Sequence, residues 1–276
     1  MILVTGATGK VGAEVVRALQ AAKAPFRAAL RSPGKAEGYE AVAFDLDRPE
    51  TFGPALAGID RLFLLSSGGT EREIPVVEAA KKAGVFHVVK LSVWKAQEEG
   101  FAFGRHHRQV EKRIEASGLA WTFLRPNGFM QNFSTSQAPT IRAQGAFYFP
   151  FDFSHSIVDA RDIGAAAARV LTEETGHAGK AYPLSGPENL SNRQIAERLT
   201  AAVGKTVRFV EVPETAFRGA LVEAGVPGQY ADDYLDLLRY YRTGADEGIT
   251  PDVEKLTGRP ATSFDQFARD HAAAWK

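Results

Sequence analysis

Glycines near the amino terminus have the spacing of a loop that holds phosphate groups. The loop reads G-x-x-G-x-x-G and lies between an apolar stretch, Ile2–Val4, and an amphipathic one, Val11–Ala22. Gly6 permits a tight turn, Gly9 lets the backbone approach a pyrophosphate, and Gly12 lets the following helix pack closely. The phosphates would then meet the free N–H groups at the helix start. The candidate ligands of a dinucleotide are Gly6, Ala7, Thr8, Gly9, Lys10, Val11 and Gly12.

The end of the second apolar stretch distinguishes between the two common dinucleotides. NAD sites usually carry Asp or Glu there to bind the ribose hydroxyls, and residues 29–33 of this chain contain no carboxylate. Arg31 can pair bidentately with a 2′-phosphate and Lys10 adds a second cation, so the sequence favours NADPH. Asp45 has two interpretations: it accepts a hydrogen bond from the adenine amino group, or it caps a turn.

Composition limits the kinds of partner and of catalyst. The 276 residues contain 33 Lys and Arg against 33 Asp and Glu, so no net charge favours a nucleic acid or an anionic membrane. Cysteine is absent, which excludes a disulfide framework, a thiolate nucleophile and a Cys-ligated metal. The chain opens without a signal-peptide pattern, and no apolar run reaches the roughly 18 residues of a membrane span. We therefore expect a cytoplasmic protein with neither a membrane nor a nucleic-acid partner.

Strand and helix patterns alternate from the first residues to Leu124. The predicted strands are Ile2–Val4, Phe26–Leu30, Ala41–Phe44, Arg61–Leu65, Phe86–Leu91 and Ala120–Leu124. The predicted helices are Val11–Ala22, Pro49–Leu56, Ile74–Ala83 and Arg105–Ala116. This alternation predicts an α/β fold, a Rossmann-type doubly wound parallel sheet with helices on both faces.

The alternation of strand and helix patterns ends after Asn127, and the remainder of the chain is mixed and mostly helical. We expect residues 1–150 to form the NAD(P)-binding domain and residues 151–276 a substrate-binding lobe that packs tightly on it and shares strands or helices with it. Ser191 and Ser263 each predict a capping box, and Asp159 and Asp162 are expected to cap a helix. Aromatic residues of this half are expected to line an apolar cavity or to pack in the core: Tyr148, Phe149, Phe151, Phe153, His155, Tyr230, Tyr234, Tyr240 and Tyr241.

Two segments of the chain resemble the atypical short-chain dehydrogenase/reductases of the NmrA-like group. They are Thr5–Gly12 and Thr122–Asn132, and the likeness continues through Ser185–Glu188 and Leu256–Pro260. The resemblance implies an NADPH-dependent reductase of quinones, triphenylmethane dyes or azo dyes, or else an NADP-sensing regulator that catalyses nothing.

The chain departs from the catalytic pattern of that superfamily. Typical members end the fifth strand with Ser and carry Tyr-x-x-x-Lys on the next helix, where Tyr donates a proton and Lys lowers its pKa and holds the nicotinamide ribose. Ser92 matches the first position, whereas Phe103 and His107 stand where Tyr and Lys are expected. A phenyl ring has no proton to give, so ordinary ketone chemistry is not expected. Quinones, dyes and electron-poor C=N, C=C or N=N bonds need less help from an acid.

His107 has more than one interpretation. The resemblance implies that it binds the ribose in place of the lysine or relays a proton near neutral pH. The alternative is an exposed residue of a charged helix. Glu111 lies four residues on and is expected to orient the ring, while His106 is expected in solvent. A metal site is not expected, because adjacent histidines on a helix point in different directions.

The resemblance also implies further pocket residues. The segment after the sixth strand would run beside the nicotinamide, which makes Pro126, Asn127, Phe129 and Met130 pocket residues, although Phe129 and Met130 suit a core equally well. Ser66, Ser67 and Gly68 form a small-residue loop expected to contact the cofactor, or simply a turn. The candidate catalytic residues are Ser92, His107 and Asn127.

Three functions fit these residues. The leading one is an NADPH-dependent oxidoreductase that transfers hydride to an aromatic, quinone-like, dye or imine acceptor. The alternative, favoured by loss of the Tyr–Lys pair, is a non-catalytic NADP(H) sensor that binds a protein partner. A third is a carbonyl or imine reductase with water or His107 as the acid. A homodimer is expected to pair through Ile74–Ala83 and Arg105–Ala116.

Overall fold

A seven-stranded parallel sheet forms the centre of the protein. The computed structural model describes residues 1–34, 38–66 and 70–276. The described residues form eleven strands, of which seven belong to this sheet. In chain order the strands are β1 Ile2–Val4, β2 Phe26–Leu30, β3 Glu40–Ala43, β4 Arg61–Leu64, β5 His87–Leu91, β6 Ala120–Pro126, β7 Ala146–Phe149, β8 Ser154–His155, β9 Lys180–Leu184, β10 Leu190–Ser191 and β11 Arg208–Glu211. The central sheet has the order β3-β2-β1-β4-β5-β6-β9. Strand order reverses at β1, so β1 and β4 border the crevice where such sheets bind ligands.

Helices cover both faces of this sheet. The α-helices of the described residues, in chain order, are α1 Gly12–Ala21, α2 Phe52–Leu56, α3 Glu73–Ala83, α4 Ala102–Ser117, α5 Gln131–Ser134, α6 Ala138–Gln144, α7 Ala160–Thr172, α8 Asn192–Val203, α9 Glu214–Glu223, α10 Gly228–Tyr240, α11 Asp252–Thr257 and α12 Phe264–Asp270. On one face, α1 and α7 pack Leu19 and Ile163 onto Val89. On the other, α3 and α4 pack Val77 and Ile114 against Val88. The predicted Rossmann-type fold is therefore confirmed.

A second core lies in the C-terminal half. It combines aromatic side chains of α5, α12 and β7, among them Phe133, Phe147, Phe264 and Phe267, with aliphatic side chains of α8 and α10. Trp275 is completely buried there, and its Nε1 donates to the Phe133 carbonyl at 2.7 Å. Among the described helices, none combines the length and the apolar character needed to cross a bilayer.

Strand and helix bounds agree with the sequence predictions to within a few residues, and three local features add detail. The predicted Pro49–Leu56 helix begins as a 3₁₀ turn, Pro49–Thr51, before α2. Ser191 forms the complete capping box. The box predicted at Ser263 is wrong in its second half: Ser263 accepts from the Gln266 N–H, but the Gln266 Oε1, which would accept from the Ser263 N–H, accepts from Arg269 at 3.0 Å instead.

The aromatic run from Phe147 to Phe153 is only partly a strand. Its first half is β7, which pairs in parallel with β11 outside the main sheet. The main sheet instead takes its last strand, β9, from Lys180–Leu184. The boundary at residue 150 and a homodimer through α3 and α4 stay predictions.

Candidate active site

A cleft opens at the carboxyl ends of the first four strands. It is lined by Thr5, Gly6, Ala7, Thr8, Ala29, Leu30, Arg31, Phe44, Asp45, Leu46, Asp47, Leu65, Ser66 and Arg72. This glycine-loop cleft brings together four separate predictions: the loop, Arg31, Asp45 and Ser66. Ser67 and Gly68, also predicted to contact the cofactor, lie outside the described residues.

Backbone geometry explains why two loop positions require glycine. Gly6 has φ +62°, and a Cβ there would lie 2.9 Å from the Leu65 side chain. A Cβ on Gly12 would lie 2.0 Å from the Gly6 carbonyl oxygen, so the start of α1 can approach the loop only without a side chain. Thr5, which the sequence reasoning missed, ties this turn to the end of β4: its hydroxyl donates to the Leu65 carbonyl at 2.8 Å.

Charged residues around the cleft differ in how far they are already engaged. Arg31 is exposed, and within the described ranges its guanidinium pairs with no carboxylate. Arg72, a lining residue that the sequence reasoning missed, pairs with Asp47 at 3.1 Å. Lys10 donates to Asn132 at 3.0 Å, and partial burial lowers the pKa of its ammonium group. Arg31 is thus the cation at the cleft most available to a phosphate.

Asp45 takes the turn-capping geometry. Its carboxylate accepts from the Asp47 N–H at 3.1 Å, and its carbonyl accepts from the Arg48 N–H at 2.9 Å. Asp45 still lines the cleft, so a contact with adenine stays a prediction.

Ser92, at the end of β5, is buried and already hydrogen-bonded. Its hydroxyl donates to Glu111 at 2.7 Å, and Arg125 reaches both oxygens of the same carboxylate at 2.9 and 2.7 Å. Arg108 adds a fourth bond at 3.1 Å. The expectation that Glu111 orients His107 is therefore wrong, because this carboxylate is taken up by Ser92 and two arginines.

Position 103, where the resemblance expects a tyrosine, is occupied by a packing residue. The Phe103 ring contacts Tyr230 of α10, with centroids 5.1 Å apart, so this part of α4 packs against the C-terminal lobe. His106 is exposed, as expected.

His107 is half-buried on α4, and its ring has an unusual environment. Among the described residues, the buried Nδ1 has no hydrogen-bond partner. Burial, the positive charge of Lys90 and then His106 hold the pKa of the imidazole well below its usual value. At neutral pH the ring is therefore uncharged, with one donor and one acceptor nitrogen.

Asn127, after β6, is bonded at every side-chain position. Its Nδ2 donates to Ser156 Oγ at 2.8 Å and to the Asp246 carbonyl at 3.1 Å, while its Oδ1 accepts from the Gly128 N–H. Its position thus ties the end of β6 to the lobe. Pro126 is buried within β6.

The two apolar residues that follow behave differently from each other. Met130 is 1% exposed and packs in the aromatic core, so the core alternative holds for it. Phe129 is only partly buried at the edge of the main core.

A buried acid that no sequence signal indicated lies beside Asn127. Asp246 has no exposed surface, and neither carboxylate oxygen has a hydrogen-bond partner among the described residues. His155 Nδ1 is 3.8 Å away. Burial raises the pKa of Asp246 well above its usual value and lowers that of His155 to about 3. Most of the aromatic residues expected either in a cavity or in the core, such as Tyr234 and Tyr241, pack in the aromatic core.

Known proteins resemble the chain along its whole length. A profile of the NmrA-like family matches residues 1–267. The chain is 39% identical over 285 residues to the NAD(P)H azoreductase of Xenophilus azovorans, covering 100% of this chain and 99% of that protein. It is 39% identical over 284 residues to (4-alkanoyl-5-oxo-2,5-dihydrofuran-3-yl)methyl phosphate reductase of Streptomyces griseus, with coverage of 100% and 99%. The structure of the NADPH-dependent quinone oxidoreductase QOR2 of Escherichia coli in complex with NADPH has TM-score 0.86 at 30% identity, covering 97% and 98%.

Proposed function

We propose that this chain transfers hydride from NADPH to an acceptor of quinone, azo, dye or imine type. The proposal starts from two findings: the chain belongs to the NmrA-like family, and it is an NAD(P)H-dependent oxidoreductase. The observation that carries this proposal is the glycine-loop cleft. Gly6 forms a turn there that only glycine can adopt, and the exposed guanidinium of Arg31 lines the same cleft.

The binding of NADPH follows from the groups around that cleft. The first turn of α1 offers N–H groups to the pyrophosphate. Asp47 neutralises Arg72 at 3.1 Å, which leaves Arg31 to pair with the 2′-phosphate. Charge-assisted bidentate bonds of this kind are the strong ones and favour NADPH over NADH.

The acceptor class follows from what the chain lacks. Bound NADPH supplies the hydride. With Phe103 packed on Tyr230, no phenolic acid stands at the position that usually protonates a ketone. Quinones and azo or imine bonds accept hydride with less help, and the reductases that resemble this chain act on acceptors of this kind according to their names.

The three candidate catalytic residues then have separate roles. Neutral His107 offers its Nε2 to a hydroxyl of the nicotinamide ribose, since its Nδ1 is buried. Ser92 helps to hold Glu111, which also binds Arg125, and Asn127 holds the lobe segment at Asp246. Ser92 and Asn127 thus act as positioning residues.

The test is oxidation of NADPH by the purified protein, followed by its absorbance against simple quinones, azo dyes, triphenylmethane dyes and activated imines. Turnover is expected with at least one of these classes. Tight NADPH binding without turnover on any of them would overturn the proposal and favour the sensor alternative.

Replacement of Arg31 tests the cofactor assignment. Arg31→Ala is expected to raise KM for NADPH about 10- to 100-fold, because a charge-assisted contact is lost, and to leave KM for NADH unchanged. The matched control is Arg48→Ala, which removes an exposed arginine already paired with Glu50 at 2.9 Å. Equal effects on both cofactors would contradict the assignment.

A further inference from the structure

Ser66, on the wall of the glycine-loop cleft, is held from two directions. It lies just beyond the end of β4, and the N–H of its neighbour Leu65 donates to the Thr5 hydroxyl of the glycine loop at 2.8 Å. The Ser66 side chain points the other way in the network, because its hydroxyl donates to Glu73 Oε1 at 2.8 Å. The backbone beside Ser66 and its hydroxyl are therefore each fixed by a different segment of the chain.

Glu73 is in turn fixed by a buried lysine. Glu73, at the start of α3, is 1% exposed, and its second oxygen forms an ion pair with the Lys90 ammonium group. Lys90 lies in β5 with no exposed surface and also donates to the Leu91 carbonyl at 3.0 Å. The carboxylate that accepts the Ser66 proton thus has both of its oxygens bonded, one to each partner.

Stability alone is a weak reason for such a pair. Desolvation of two buried ions offsets their attraction, and apolar residues of similar volume often stabilise a fold equally well. A carboxylate whose two oxygens are both bonded has a fixed orientation, and it therefore fixes the direction of the hydroxyl that donates to it. The buried pair of Lys90 and Glu73 thus determines how Ser66 is presented in the cleft.

This orientation has a chemical consequence for what Ser66 can bind. A serine hydroxyl has one proton and two lone pairs. Because Ser66 gives its proton to Glu73, its oxygen can only accept a hydrogen bond from a molecule in the cleft. In the proposed function the cleft takes the adenosine half of the dinucleotide, since Arg31 follows β2 and the glycine loop takes the pyrophosphate. That half carries matching donors, the ribose hydroxyls and the adenine amino group.

We propose that Lys90 and Glu73 are positioning residues for cofactor binding: they hold the Ser66 hydroxyl as an acceptor for an O–H or N–H donor of the adenosine half of NADPH. Ser66 is the member of this network that contacts the cofactor, and the buried pair acts through it. The inference rests on the proposed function only in that NADPH occupies the glycine-loop cleft.

Two double variants that differ at one position test the network. Lys90→Met/Glu73→Leu removes the ion pair and the acceptor of the Ser66 proton, whereas Lys90→Met/Glu73→Gln removes the pair and keeps an acceptor oxygen. Neither variant leaves a single buried charge. We expect Kd for NADPH, measured by its fluorescence, to rise about 2- to 10-fold in the Leu variant and to return towards the unaltered value in the Gln variant. Equal Kd values in the two variants would overturn the inference.

Ser66→Ala tests whether the pair acts through Ser66. Alone it is expected to raise Kd for NADPH about 2- to 10-fold. Added to Lys90→Met/Glu73→Leu it is expected to cause little further rise, because residues of one network are not additive. An unchanged Kd in Ser66→Ala, or fully additive effects, would overturn the inference. The single variant keeps the test decisive if the double variants fail to fold.

A control variant separates this effect from general loosening of the fold. Asp162→Asn removes a different fully buried carboxylate, which lies on α7 and pairs with Arg259 at 2.7 Å. It is expected to leave Kd for NADPH unchanged. A rise equal to that of Lys90→Met/Glu73→Leu would show a general effect of buried carboxylates and would overturn the inference.

A fragment of the cofactor locates the contact. The rise in Kd for Ser66→Ala is expected to be the same with 2′-phospho-ADP-ribose, which lacks the nicotinamide, when binding is measured by calorimetry. Loss of the effect with this fragment would overturn the assignment to the adenosine half. Absence of turnover in the unaltered protein would instead refute the proposed function, while these binding measurements would still decide the role of Ser66.

Discussion

Two buried carboxylates near the same edge of the sheet have opposite environments. Glu73, at the first residue of α3, is bonded to the Lys90 ammonium and the Ser66 hydroxyl. Asp246, at the end of the irregular turn Tyr241–Ala245, has no partner for either oxygen among the described residues. Both side chains are essentially unexposed.

The difference shows how regular and irregular backbone supply partners for a buried charge. Strand β5 and helix α3 belong to the regular α/β layers, so Lys90 and Glu73 are brought into direct contact. Asp246 follows a turn in which Gly244 has φ +83°, and its neighbours are His155 and Tyr241 rather than a buried cation. Burial raises the pKa of Asp246 well above its usual value, which favours the neutral carboxyl.

The largest expected effect on stability comes from removing Lys90 and leaving Glu73 without its partner. Lys90→Met alone leaves Glu73 buried and unpaired, and we expect a loss of about 3–5 kcal/mol in the free energy of unfolding. Lys90→Met/Glu73→Leu is expected to regain most of that loss. Denaturant unfolding of both variants measures it, and equal losses would mean that the pair is not an energetic unit.

For Asp246 we expect an effect on how the free energy of unfolding depends on pH. Since its pKa is raised in the folded protein, the folded state keeps a proton that the unfolded state releases above about pH 3.9. The free energy of unfolding should therefore fall as pH rises from there towards the folded pKa, by about 1.4 kcal/mol per pH unit for this group. Asp246→Asn mimics the protonated form and should remove that component.

Denaturant unfolding at several pH values between 4 and 8 compares the two proteins. The wild type is expected to lose stability relative to Asp246→Asn as the pH rises through this range. Parallel curves would show that Asp246 ionises in the folded protein as it does in the unfolded chain.

The smallest effect is expected at a third carboxylate, Glu111, which has several partners. Ser92→Ala removes one bond at 2.7 Å but leaves Arg125 on both oxygens. We expect a loss of about 1 kcal/mol in the free energy of unfolding and an unchanged Kd for NADPH. Weaker cofactor binding would instead give Ser92 a direct contact with it.

Local pattern was enough for the parts of the fold that repeat. Glycine spacing at Gly6 and Gly12 and the alternation of strands with helices report backbone requirements that neighbouring residues impose. The same reasoning located Arg31 at the cleft, because strand ends of a parallel sheet share one edge. It left Asp45 between two roles, and the turn geometry around Arg48 favoured capping.

Such patterns did not predict which side chains bind to each other. Helical spacing suggested Glu111 for His107, yet Glu111 binds Ser92 and Arg125, which are 19 and 14 residues away in sequence. Nothing local marked Arg72 or Asp246 or showed that Thr5 binds the end of β4, because these contacts join segments up to 119 residues apart, as for Asn127 and Asp246.

The sequence by itself thus determined the α/β architecture, the phosphate-binding loop and the missing tyrosine. Each of these depends on residue type and short-range spacing. Only the tertiary structure decided which buried groups are charged and which residues hold the others in place. The ionisation of a buried side chain depends on the groups that long-range packing brings within a few ångströms of it.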